Sequence, residues 1–247
     1  MSFNVRLDTP KDGDNAWEHR REAALKMIST LAPDIIGLQE ALAGQDDYLA
    51  ENLPCYSRIG VGRDDGVRGG EIMTILYDSG RYDLLDAGTF WLSETPEEVS
   101  RGWDAACNRT ATWAKLQEKG SERPFWFFNT HLDHQGNEAR REGVKLLVRR
   151  IDEIAGKGMV FITGDMNAAQ NDEVLQPLFS QFGSARDNAP ETDNRGTFNG
   201  FGSAPNSIVI DYIFYRNATP ENFRTVTEEY GVPYVSDHYP IVAKLVF

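Results

Sequence analysis

Along this chain one apolar strand after another is closed or interrupted by a polar residue, and that recurrence constrains the fold more than any other feature. Asn4 sits inside the alternating opening segment Met1–Arg6, and Glu40 follows the apolar run Ile35–Gln39. His131 follows Phe125–Phe128, and Asp165 and Asn167 follow Phe161–Ile162. Asp211 lies within Ile210–Tyr215, while Asp237 and His238 precede Tyr239-Pro240-Ile241. Burying a charged group costs several kcal/mol unless it is paired or bound to metal. A single polar strand end needs no special explanation. Six of them predict one shared polar site at one end of the sheets.

The rest of the pattern predicts what carries that site. Trp17, Arg21, Ala24, Ile28 and Leu31 recur at helical spacing, with Asn15 and Glu18 as a capping-box pair and Pro33 as the stop. Helices are also expected over Asp46–Asn52, over Asn137–Ala155 up to Gly156, and after Asn171 through Val174, Leu175, Leu178 and Phe182. Ile72–Tyr77 and Tyr82–Ala87 read as a hairpin across Asp78-Ser79-Gly80, and Thr110–Gln117 pairs with Phe125–Thr130. Met159–Thr163, Ser207–Tyr215 and Ile241–Phe247 complete the strands. Hairpins mixed with helical crossovers exclude a simple parallel doubly wound sheet and predict two packed sheets with helices outside. No repeat or linker divides the 247 residues, so one domain over 1–247 is expected.

Composition bounds the chemistry. The formal net charge of −13 argues against a protein that wraps a long polyanion, which usually presents a basic face. No apolar run is long enough to span a bilayer. Cys55 and Cys107 form no metal spacing and read as two buried or half-buried thiols. P-loop, nucleophile-elbow, zinc-protease and EF-hand signatures are absent. Asn and carboxylate oxygens are hard ligands, which suit Mg²⁺ or Mn²⁺. A divalent cation polarises a phosphoryl oxygen, a carboxylate orients water, and an imidazolium stabilises growing charge. Together these groups predict hydrolysis of a phosphate ester.

The strings MSFNVR, IIGLQE, NTHLDH, TGDMN, IDYIF and SDHYP, in this order across the whole chain, resemble the endonuclease/exonuclease/phosphatase superfamily, a deoxyribonuclease-like group. The resemblance implies a four-layer α/β sandwich, two packed mixed β-sheets with helices on the outside. It implies Glu40 as principal metal ligand with Asn4 beside it, and Asp237 as a contact to metal or metal-bound water. By the same resemblance Asp165 activates or orients the attacking water, and Asn167 helps hold the phosphate. His238 is the family histidine, Asp211 fixes its tautomer, His131 is a second histidine, and Glu71 in GGEIM is its carboxylate partner. The split between general base, general acid and electrostatic stabiliser stays open. So does the structural alternative for Asn4, a simple strand-end hydrogen bond, and for Glu71, an exposed strand charge.

GVGRDDG, GTFWLSETP, GWDAACNRTATWA and DGDNAW resemble an uncharacterised bacterial subgroup. Trp91 and Trp103 are candidate stacking residues for a sugar or base, with core packing as the alternative. Arg109 and, more weakly, Arg63 and Arg68 are candidate phosphate contacts. His134 reads as structural or outer to the site, His19 as solvated, and Arg140, Arg141, Lys145, Arg149 and Arg150 as an exposed stripe interleaved with acids. The expected substrate is a small phosphorylated metabolite, glycan or lipid headgroup, acted on by a monomer. A nuclease on DNA or RNA is the alternative, followed by a non-catalytic binding module and a carboxylate-pair glycosidase. The first strand starts at residue 1, without the few residues family members usually place before it. That leaves the compartment open, including a secreted or periplasmic one whose leader has been removed.

Overall fold

The structure is a computed structural model that describes residues 1–247. β1 (Ser2–Asn4) pairs in parallel with β2 (Ile35–Gln39), and Asn4 lies opposite Gln39 in the register. β3 (Tyr56–Ile59) and β4 (Ile75–Asp78) extend this sheet on one side. β11 (Thr219–Thr225) and β12 (Ile241–Val246) extend it on the other, giving the order β11-β12-β1-β2-β4-β3. The second sheet contains β5 (Tyr82–Trp91), β6 (Thr110–Glu118), β7 (Pro124–His131), β8 (Met159–Asp165), β9 (Gly183–Ser184) and β10 (Asp211–Arg216). Its order is β5-β6-β7-β8-β10-β9, with β7 and β8 parallel. Both sheets are thus mixed, each with one central parallel pair.

Alternation along the strands decides which face is which. Phe3, Val5, Ile36 and Leu38 pack against Ala24, Met27 and Ile28 of α1 (Trp17–Leu31) and Leu49 of α2 (Ala43–Asn52). Phe128, Val160 and Ile162 pack against Val144, Leu147 and Ile151 of α3 (Asn137–Ala155) and Leu178 of α4 (Gln176–Gln181). A further short helix, α5 (Ala185–Asn188), lies beside β10 and β11. Ile75, Leu116, Phe125, Phe127 and Phe161 fill the space between the sheets. The result is helix, sheet, sheet, helix, an α/β sandwich of four layers.

Polar side chains also cross between the sheets. Gln39 Nε2 donates to Asn129 Oδ1 at 2.7 Å, and Asn129 Nδ2 donates to the Leu38 carbonyl at 2.7 Å and the Thr74 carbonyl at 3.1 Å. Gly37 permits this approach: a Cβ there would stand 2.1 Å from Thr163 Oγ1. The network fixes how one sheet sits on the other directly beneath the strand ends.

Several sequence expectations need correction. Ile72–Tyr77 and Tyr82–Ala87 are not a hairpin, because β4 already pairs on both edges, with β2 and β3, and β5 pairs with β6 in the other sheet. Asp78-Ser79-Gly80 therefore carries the chain from one sheet to the other. The Asn15/Glu18 capping box does not form: a 3₁₀ turn over Pro10–Asn15 leads straight into α1, whose N-cap is Ala16. Arg20 faces inward from α1, where the helical pattern placed Arg21. Asp172, not Asn171, caps the turn before α4. β3 and β11 carry no strong alternation and were not expected. Both cysteines are free, and Cys55 is exposed while Cys107 is half-buried.

Candidate active site

Strand register assembles the polar ends. In the second sheet Asp165 at the end of β8 lies between His131 of β7 and Asp211 of β10, each its direct cross-strand neighbour. In the first sheet the C-terminal ends of β1 and β2 deliver Asn4 and Glu40 to the same place. Asn4 joins the two sheets: its Nδ2 donates to Glu40 Oε1 at 2.9 Å and to Asp165 Oδ2 at 3.0 Å. His238, from the loop before β12, places Nδ1 2.8 Å from Asp211 Oδ2 and Nε2 3.7 Å from Asp165 Oδ2. His131 Nε2 lies 3.4 Å from Asp165 Oδ2 and 2.9 Å from Asn167 Nδ2.

Two of these residues hold unusual backbone conformations. Glu40 has φ 62° and Asn167 has φ 45°. A left-handed glutamate is disfavoured and persists only where its surroundings over-determine it. Leu7 N and Asn4 Nδ2 donate to the two Glu40 oxygens at 3.0 and 2.9 Å, which fixes the carboxylate. Asn167 N donates to Asp165 Oδ1 at 2.9 Å, and its amide reaches back to the Leu132 carbonyl at 3.0 Å.

The electrostatics follow from burial and partners. Asp165 is 1% exposed, and burial alone would push its carboxyl up. The charges of His131 and His238, with hydrogen bonds from Asn167 and Asn4, outweigh burial and hold Asp165 below the usual carboxylate range. Burial opposes charging His238, but the Asp211 and Asp165 carboxylates overcome it and raise the imidazole to about 10. Beside His131 a second cluster surrounds Glu71 Oε2, with Arg63 Nη1 at 2.6 Å, Arg109 Nη1 at 3.7 Å and His131 Nδ1 at 3.7 Å. Burial pushes Glu71 up, and its histidine and arginine neighbours bring it down to about 2.

A cation can be held here. The donor atoms of Glu40, His131 and Asp165 lie within 4.8 Å of one another, as do those of Asp165, Asp211 and His238. These oxygen and imidazole donors fit a hard divalent ion. A third such group, Cys107, Asp133 and His134, is already satisfied, because Asp133 accepts from the backbone N–H groups of Ala106, Gln135 and Gly136 and from Arg109.

The structure brings Asn4, Glu40, Glu71, His131, Asp165, Asn167, Asp211 and His238 together. Asp237 is close but turned aside: its Oδ1 takes Ser236 Oγ at 3.3 Å, its Oδ2 faces Arg6 Nε at 3.7 Å, and it joins neither cation-ready group. Trp91 does not form a stacking surface, since it is buried and its indole N–H donates to the Arg63 carbonyl at 2.7 Å. Trp103 is half-buried against the core under α3. Arg63 and Arg109 are committed to Glu71 and Asp133, and Arg68 ties to Asp46 and Asp47, away from the site. His134 contacts Arg109 Nη2 at 3.0 Å, outside the central cluster, and His19 is exposed. Sequence reasoning missed Arg6, which stands against Glu40 and Asp237, and Asp12, which holds its guanidinium. Only their proximity to Asn4 could have drawn attention to them.

Comparison with known proteins agrees with this architecture. The family model described as Endonuclease/Exonuclease/phosphatase family matches residues 1–238. A Bacteroides vulgatus endonuclease/exonuclease/phosphatase structure superposes with a TM-score of 0.94 at 37% identity, covering 99% of this chain and 96% of that one. A Bacteroides thetaiotaomicron mannosyl-6-phosphatase superposes with a TM-score of 0.95 at 32% identity, covering 100% of this chain and 98% of that one. An uncharacterized protein of Acanthamoeba polyphaga mimivirus is 26% identical, covering 92% of this chain and 91% of its own.

Proposed function

The chain belongs to the endonuclease/exonuclease/phosphatase family, and from that premise we propose that it is a divalent-metal-dependent hydrolase of small phosphorylated molecules, sugar phosphates first among them. The observation that carries this reading is the convergence of Asn4, Glu40, His131, Asp165, Asn167, Asp211 and His238 from both sheets onto one buried polar cluster.

Glu40, with Asp165 alongside, would hold Mg²⁺ or Mn²⁺, and Asn4 Nδ2 orients both carboxylates. The bound cation supplies Lewis acidity toward a phosphoryl oxygen. Asp165, held ionised, accepts a hydrogen bond from the attacking water and takes its proton as the new O–P bond forms, while the ester P–O bond breaks with its electron pair on the departing alcohol oxygen, which is protonated by water. His238, charged beside Asp211, places an N–H against the developing negative charge. His131 faces a phosphoryl oxygen, with Asn167 Nδ2, anchored on the Leu132 carbonyl, setting its ring from one side and Glu71 from the other.

Two observations support a small substrate. The mannosyl-6-phosphatase shares the whole length of the chain. The basic residues of α3 do not make a free cationic face, because Arg141 and Lys145 pair with Glu142, and Arg150 pairs with Glu97 and Glu153. That matches the net charge of −13 and disfavours a polyanion as partner.

The test is a substrate panel with Mg²⁺ or Mn²⁺: sugar phosphates, other phosphomonoesters, bis-p-nitrophenyl phosphate and supercoiled plasmid DNA. Turnover of sugar phosphates that stops with EDTA and exceeds DNA cleavage is the expected result. EDTA-resistant turnover removes the metal role, and preferential DNA nicking replaces the small-molecule reading with a nuclease.

A further inference from the structure

α1 belongs to an outer layer, yet one of its side chains reaches the site end of the first sheet. Arg20 is 1% exposed, and none of its hydrogen bonds goes to a carboxylate. Its guanidinium donates to four backbone carbonyls instead: Nε to Asn15 and Nη2 to Arg6, each at 2.8 Å, and Nη1 to both Val5 and Val235. The ring centroids of Trp17 and Phe201 lie 5.3 and 5.7 Å from it. Burial pulls the guanidinium down to about 10, and the carboxylates that work against burial are Asp237, Asp12 and Glu40. A charge buried without a carboxylate partner of its own is expensive, and an apolar side chain would pack α1 at lower cost.

What the guanidinium holds accounts for its place. Val5 and Arg6 follow Asn4 directly at the end of β1, and Val235 opens the stretch that ends in His238. Three successive carbonyls of that stretch are each taken from outside it. Arg20 donates to Val235, Asn199 Nδ2 to Ser236 at 3.2 Å, and the N–H groups of Asn199 and Gly200 to Asp237 at 2.8 and 2.9 Å. Arg20 touches both supports, because Phe201 belongs to the same turn as Asn199 and Gly200. The segment leading into that turn also reaches Asp211: Thr197 Oγ1 accepts from Asp211 N at 3.1 Å, and the Thr197 carbonyl accepts from Tyr239 N at 2.6 Å. The contact between His238 and Asp211 is thus set by loop backbone. Two ties bind that backbone to β1, Ser236 Oγ on the Asn4 carbonyl at 2.7 Å and the Arg20 guanidinium.

We propose that Arg20 is a positioning residue: by holding the Val235 carbonyl to those of Val5 and Arg6, it sets the His238 imidazole against Asp211. It touches no reacting atom. Only its effect on turnover rests on the hydrolase reading above, since the placement of His238 is measurable without substrate or metal.

The experiment reads the ring nitrogens of His238 by NMR in the full chain labelled with ¹⁵N-histidine, in EDTA. The chain has four histidines, and the signals lost in His238→Gln are those of His238. Asp211→Asn marks where they move when the pair is broken. Arg20→Lys keeps the charge but cannot span four carbonyls, and Arg20→Met keeps only the stem; both move the signals toward their place in Asp211→Asn. Arg21→Met, at the exposed next residue, leaves them unmoved. Circular dichroism and a thermal melt establish that each variant is folded. Phe201→Leu removes only the ring beside the guanidinium and moves the signals the same way by less, which keeps the test open if an Arg20 variant unfolds. In turnover assays kcat of Arg20→Lys falls by about 10²-fold with KM near that of the unmodified chain. Signals unmoved in Phe201→Leu and in every folded Arg20 variant overturn the inference, as does a rise in KM with kcat kept. No turnover by the unmodified chain, with signals that move as described, sinks the hydrolase reading and leaves the placement of His238 by Arg20 standing.

Discussion

Nδ1 of His238 lies 2.8 Å from Oδ2 of Asp211, and both side chains are buried. A buried imidazole would ordinarily prefer to be neutral. The Asp211 and Asp165 carboxylates reverse that preference and raise His238 to about 10. In Asp211→Asn the largest of those favourable contributions is gone and burial regains control. We expect kcat/KM to fall by about 10²- to 10⁴-fold, the range for losing a positioned acid–base group. The alkaline limb of the pH–rate profile should move well below about 10. A profile identical in shape to that of the unmodified enzyme would remove Asp211 from this role.

The same pair predicts how stability varies with pH in EDTA. His238 is raised in the folded state, so its contribution is complete below the unfolded imidazole value, about 6.5, and is lost as pH rises through about 10. Urea midpoints of the unmodified protein and Asp211→Asn should therefore differ most on the mildly acidic side, below about pH 6.5, and converge as pH rises through about 10. A difference independent of pH would mean that Asp211 contributes by packing alone.

Much of this centre was legible in the sequence because it sits at strand ends. A polar residue inside an apolar strand or at one of its ends is visible without coordinates, and Asn4, Glu40, His131, Asp165, Asp211 and His238 all carry that signature. The partition of strands between two sheets was not legible. Asp78-Ser79-Gly80 has the chemistry of a tight turn, and local pattern cannot reveal that both edges of β4 are taken by β2 and β3. Buried cations were equally hidden: Arg20 and Arg109 are buried because of distant partners, the Val5 and Val235 carbonyls for one and Asp133 for the other. Left-handed backbone at Arg6 and Glu40 leaves no mark on composition, since neither is glycine.

Glu40 allows metal binding to be read without turnover. A ligand bound only to the folded state stabilises it by about 2.7 kcal/mol at about 100 times Kd. For a chain of this length each kcal/mol moves the melting temperature by about 2–4 °C. Saturating Mn²⁺ should thus raise the melting temperature of the unmodified protein by roughly 5–10 °C. Glu40→Gln keeps the shape and removes the charge, so it should show little of that rise. An equal rise in Glu40→Gln would place the ion elsewhere.

Gly37 and Gly44 make a matched pair for testing what holds the two sheets together. A Cβ at Gly37 would meet Thr163 Oγ1 at 2.1 Å and Asn129 Oδ1 at 2.5 Å, whereas one at Gly44, in the first turn of α2, meets nothing within 4 Å. Neither position has the left-handed φ that would strain an alanine. The clash in Gly37→Ala requires both Thr163 and Asn129 to move, and moving Asn129 breaks bonds to Gln39, Leu38 and Thr74. Overpacking costs about 1–3 kcal/mol, and a buried polar group left unpaired costs a similar amount, about 1–3 kcal/mol. Gly37→Ala should therefore lose at least about 2 kcal/mol in urea unfolding. Gly44→Ala should be unchanged or gain up to about 1 kcal/mol from helix propensity. Because the Asn129 network lies directly beneath Asn4 and Glu40, Gly37→Ala should also weaken Mn²⁺ binding while Gly44→Ala leaves it intact. Equal stability in the two variants would mean that the sheets can shift apart at Gly37 without cost.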